Sequence, residues 1–152
     1  MKPALFLLLA GLAPLCTGCV VGTVLRAEKA APAGSVDLRS PSLGDRTLTP
    51  TACRSGEHQL FLGADFLDAQ GLTARLIVEP TGLASLRFFA AAHPLDPGIL
   101  FHRQDCGRFE LSLDRTGWRI NDIYDLHLSL DFECRAASGE AATGHLVADH
   151  CH

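Results

Sequence analysis

Asp125-Leu126-His127-Leu128-Ser129-Leu130-Asp131-Phe132-Glu133-Cys134-Arg135 alternates polar and apolar side chains without a miss. Successive side chains of a β-strand point to opposite faces. Leu126, Leu128, Leu130, Phe132 and Cys134 are therefore predicted to face a core, and His127, Ser129, Asp131 and Glu133 to face water. Shorter apolar runs at residues 59–66, 73–78, 85–90, 99–103, 108–113 and 144–150 read as further strands, and no run sustains a helical period. Turn residues punctuate them at Gln70-Gly71, Pro80-Thr81-Gly82, residues 94–98, Thr116-Gly117 and Ser138-Gly139. The last of these joins the two final strands through a short loop and predicts an antiparallel hairpin. Six or seven strands in about 100 residues imply an all-β fold, a small antiparallel sandwich with a small closed barrel as the alternative.

Upstream of this pattern the chain changes character. Met1-Lys2-Pro3 is a short, weakly positive start, followed by an apolar run over residues 4–12, the breakers Gly11 and Pro14, and then Leu15-Cys16-Thr17-Gly18-Cys19. That order is similar to a secretory signal peptide. The five residues ending at Cys19 resemble the lipobox of bacterial lipoproteins, with small Thr17 and Gly18 before the cysteine, although Cys16 stands where lipoboxes usually carry leucine. The resemblance covers the first 20 residues or so. It implies a signal peptide over residues 1–18, a diacylglycerol-modified Cys19 as the mature N-terminus, and palmitate incorporation. Val20 is not the aspartate associated with inner-membrane retention, so the implied destination is the outer membrane, facing the periplasm or outside. The alternative is an uncleaved span over residues 3–25, which Gly11, Pro14 and Gly18 interrupt.

Residues 19–52 are rich in Gly, Pro, Ser, Thr and Ala and offer little to bury, so they read as the lipidated N-terminus and a flexible tether, with Val36 and Leu38 at most adding an edge strand. The folded domain then spans residues 53–152. It retains Cys53, Cys106, Cys134 and Cys151, an even number in an oxidising compartment, which predicts two disulfides with three pairings open. The favoured pairing is Cys106–Cys134, whose members border well-defined strands, with Cys53–Cys151 tying together the ends of the domain.

The formal net charge of −4 offers no basic surface for a polyanion, and nucleic acid is excluded as a partner on that ground. The implied partners are a membrane, through the lipid, and an envelope protein. The richest surface candidate is residues 114–125, which hold the only Trp and the only Tyr, and Arg115, Trp118, Arg119 and Tyr124 are the candidate binding residues. The plainer reading of that segment is a turn in which Trp118 and Ile120 pack on the core while Asn121 and Asp122 satisfy backbone groups locally.

Catalytic motifs are lacking: there is no Gly-x-Ser-x-Gly, Ser-x-x-Lys or His-Glu-x-x-His. Asp65 with Asp68, or Glu110 with Asp114, are carboxylate pairs more simply read as strand-face or turn residues, and His93 and His102 have no assignable partner. His150-Cys151-His152, with His145 and Asp149 nearby, raises a metal site, but zinc-type spacing is missing, and on a strand His145 and Asp149 lie about 13 Å apart. The twelve-residue calcium loop is also missing. No catalytic residue, metal ligand or cofactor is assigned. The expected function is that of a non-enzymatic structural or binding module of the envelope, with a periplasmic hydrolase or a metal-binding protein as the alternative.

Overall fold

A computed structural model describes residues 31–93, 95 and 97–152. The expected signal peptide, Cys19 and the N-terminal part of the expected tether lie outside the described residues. Ten strands form two five-stranded antiparallel sheets. Sheet A has the order β2 (Arg46–Leu48), β1 (Ala33–Arg39), β10 (Ala141–Cys151), β9 (Ile123–Arg135), β8 (Cys106–Ile120). Sheet B is a meander of β3 (Pro50–Ser55), β4 (Leu62–Asp68), β5 (Leu72–Val78), β6 (Ala84–Ala90) and β7 (Ile99–His102). Two short 3-10 turns, η1 (Gly56–Gln59) and η2 (Arg103–Asp105), punctuate the strands. Both sheets are open, so the architecture is a sandwich and the barrel alternative does not apply.

The strict alternation in β9 does what its period dictates. Leu126, Leu128, Leu130, Phe132 and Cys134 enter one core with Phe66, Leu76, Phe88 and Phe101 of sheet B, while His127 and Glu133 stay exposed. Burying a side chain of this size contributes roughly 1.5–3 kcal/mol, which makes this strand the backbone of the core's stability.

Residues 33–52 correct the reading of 19–52 as a tether. β1 is an interior strand between β2 and β10, and Val36, Leu38 and Leu48 are fully or almost fully buried. The signal is weak in sequence because only two apolar residues in β1 face the core and the rest are small or polar. Small residues are needed there: a Cβ on Gly144 of β10 would lie 2.4 Å from the Ser35 carbonyl oxygen of β1. These three N-terminal strands also raise the count to ten from the six or seven expected. The run 59–66 begins later than expected, because η1 occupies its start and β4 begins at Leu62.

Both disulfides form in the favoured pairing, Cys53–Cys151 and Cys106–Cys134. Cys106 and Cys134 face each other directly across β8 and β9, so this bridge lies within sheet A. Cys53 on β3 and Cys151 on β10 link the two sheets. In the chain-entropy model a closed loop of about 30 residues contributes roughly 3.6 kcal/mol and one of about 100 roughly 4.7. Among the described residues no helix is long and apolar enough to cross a membrane.

Candidate functional site

β8 and β9 run past the sandwich as a hairpin closed by Asn121 and Asp122. Both adopt positive φ, 49° and 66°, the two-residue geometry whose twist matches that of the flanking strands. Thr116-Gly117 is not the turn the sequence suggests. The register shifts between Arg115 and Arg119, so residues 116–118 bulge opposite Asp125. Thr116 donates from Oγ1 to Asp125 Oδ2 at 3.2 Å, and the Trp118 amide donates to Thr116 Oγ1 at 3.3 Å. The bulge sends Trp118 outward, and Trp118 and Ile120 are 69% and 51% exposed rather than packed on the core.

Three of the four candidate residues form one stack. The guanidinium carbons of Arg115 and Arg119 lie 4.7 and 5.1 Å from the centre of the Tyr124 ring. Cation–π contacts of this kind contribute about 0.5–1 kcal/mol at exposed sites. Arg119 also pairs with Asp122 at 3.0 Å. Trp118 is placed beside the stack by the strand but lies outside it.

Glu57 of η1 braces the stack, and sequence reading missed it. Its Oε1 lies 2.6 Å from Arg115 Nη2, and its Oε2 accepts the Tyr124 amide at 2.9 Å. Glu57 is 58 and 67 residues away from these partners, so no local pattern announces it. The C-terminal histidines join the same end: His150 Nδ1 lies 2.7 Å from Asp125 Oδ2, and His152 Nε2 lies 3.2 Å from the Ile120 carbonyl oxygen. His58 meets His152 edge to face with centroids 5.3 Å apart. Asp125 is buried, and its Oδ1 accepts no hydrogen bond from the described residues.

The other sequence candidates disperse. Asp65 is bound by Arg75 and Gln59, and Asp68 accepts the amides of Gln70 and Leu72 at a turn, so the two do not act as a pair. Glu110 and Asp114 are exposed along β8. His145 and Asp149 take different partners across the strands, Asp131 at 2.9 Å and His127 at 3.2 Å. Among the described residues no three His, Cys, Asp or Glu side chains are placed to hold a metal ion. His93 is exposed, and the His102 amide donates to Asp105 at 2.7 Å to open η2. Of four surface concavities of about 220–370 Å³, only the one beside Glu79, Leu83 and Arg103 includes a histidine, His102. The hairpin residues Arg115, Trp118, Arg119 and Tyr124 line none of these four.

Comparison with known proteins yields no relative: no family model, no curated protein and no solved structure matches this chain.

Proposed function

We propose that this protein is an outer-membrane lipoprotein, held by acylated Cys19, whose β-sandwich is a non-enzymatic module that binds an envelope protein through the hairpin end of β8 and β9. The observation that carries this reading is the pair Trp118 and Ile120, large apolar side chains left in water next to the Arg115–Tyr124–Arg119 stack. Aromatic and arginine side chains dominate interface energetics, and large apolar side chains exposed side by side suit a protein surface better than a small ligand, which binds in a concave pocket. The chain between Cys19 and the start of β1 at Ala33 can span at most about 50 Å, which keeps such a module near the membrane.

A photo-crosslinker at position 118 is expected to capture a single envelope partner, and one at Ser138, in the β9–β10 turn, is not. Arg119→Ala is expected to weaken capture from position 118 about tenfold or more, equivalent to 1.4 kcal/mol or more. Equal capture from both positions overturns the binding surface. Continued palmitate labelling of Cys19→Ser overturns the anchor.

The hydrolase alternative draws on one feature. A buried carboxylate that holds His150 Nδ1 leaves Nε2 available to move a proton. Purified protein that turns over an ester or amide, and loses that turnover in His150→Ala, would favour the enzyme.

A further inference from the structure

A strand at the margin of a sheet presents unpaired N–H and C=O groups, and proteins usually blunt such edges by shortness, proline, bulges or inward-pointing charge. Three of the four edges here follow that rule. β2 has three residues and β7 has four, while β3 opens on Pro50 with a bulge before Ala52. β8 is the exception. It has 15 residues, lies beside β9 alone, and between Arg108 and Asp114 carries no proline, no bulge and no charge facing the core.

The hydrogen-bond phase of that edge follows from its partner. Alternate residues of an antiparallel strand turn their backbone groups to opposite sides. The Tyr124 amide goes to Glu57 and not to β8, so Leu126, Leu128, Leu130 and Phe132 turn away from β8 as well. Their register partners Phe109, Leu111 and Leu113 therefore direct N–H and C=O outward. The Phe109 carbonyl agrees, since it accepts a hydrogen bond from the Arg103 guanidinium beyond the edge.

We propose that β8 pairs with β8 of a second copy of this chain, antiparallel about a twofold axis at Leu111, joining two five-stranded sheets into one. In that register Leu111 meets Leu111 and Phe109 meets Leu113, each with outward backbone groups, giving roughly six backbone hydrogen bonds. Half-buried Leu111 and Leu113, which already pack on the core of their own chain, gain cover. On the solvent face exposed Arg108 lies opposite Asp114, and Glu110 opposite Ser112. The two nearest alternative twofolds set Glu110 against Asp114 or against itself, and like charges directly opposite are destabilising. The Phe109 carbonyl exchanges the bond it accepts from Arg103 for one from the Leu113 amide of the second copy.

The test is the mass of the full-length detergent-solubilised protein, by light scattering after chromatography. The expected mass is that of two chains plus detergent. Arg108→Glu and Asp114→Arg each change two symmetry-related pairs and are expected to weaken association about tenfold, while the double variant restores it. Leu111→Pro removes an outward amide, which an edge tolerates, and is expected to give one chain with an unchanged near-ultraviolet circular dichroism spectrum. A wild-type mass of one chain at about 100 µM overturns the proposal; so does a dimer that both Leu111→Pro and the single charge variants leave intact, or a double variant no better than the singles. Association with a protein of different size that Leu111→Pro abolishes assigns the edge to that protein instead.

Discussion

Asp65 and Asp125 are equally buried, each 5% exposed, and each lies on the outer face of its sheet, yet their surroundings differ. Asp65 on β4 sits opposite Arg75 on β5 in the strand register, and the guanidinium meets both carboxylate oxygens at 2.7 Å. Gln59 donates to Oδ2 and accepts from Arg75, and the rings of Phe61 and Phe89 lie 5.0 and 5.2 Å from the guanidinium carbon. The bond to Asp65 raises the Arg75 pKa above its usual value against the opposing effect of burial. Asp125 on β9 has only Thr116 and a half-exposed His150, both on one oxygen. A buried carboxylate with both oxygens engaged locks a sheet; one with an idle oxygen marks where a sheet gives way to a less constrained hairpin.

The sharpest way to break this comparison is Asp65→Ala, which strands a largely buried guanidinium. It is expected to cost about 3–5 kcal/mol in chemical denaturation, and a loss below about 1 kcal/mol would show that Gln59 and the two rings suffice for Arg75. Asp125→Asn keeps the shape and has fewer bonds to lose. The expected cost is about 1 kcal/mol, accompanied by faster amide exchange at residues 116–120, and a cost equal to that of Asp65→Ala would erase the distinction between the two sites.

A carboxylate in the β9–β10 turn gives the smallest effect. The Ser138 hydroxyl, and then the Glu140 backbone amide, hold Glu140 below its usual carboxylate range. A depressed folded-state pKa means that this contribution is present above the unfolded value and is lost as pH falls through the folded one. Ser138→Ala is expected to move the Glu140 titration midpoint upward in NMR, and an unmoved midpoint would remove the hydroxyl as the cause.

Legibility in the sequence followed how local each signal is. The alternation from Leu126 to Cys134 specifies a strand by itself, and the cysteine positions favoured the observed pairing while leaving two others open. β1 hides because Gly34 and Ser35 are small and polar where neighbouring backbones crowd, so it reads as linker composition. The outward turn of Trp118 depends on a bulge, and a one-residue change of phase reverses the face of a side chain. Glu57 and His150 reach the hairpin only through tertiary contact. The candidate residues were thus legible as a group, while the groups that hold them in place were not.

The bridge between Cys53 and Cys151 also determines what a protease can accomplish. Any single cut between those positions, for example in the turn at Thr81 and Gly82, leaves fragments that each retain one of the two cysteines. The clipped molecule keeps its mass until it is reduced, and its hydrogen-bonded strands can hold their places. In the anchored form proposed above, a nick on the far side of the sandwich would release nothing from the membrane.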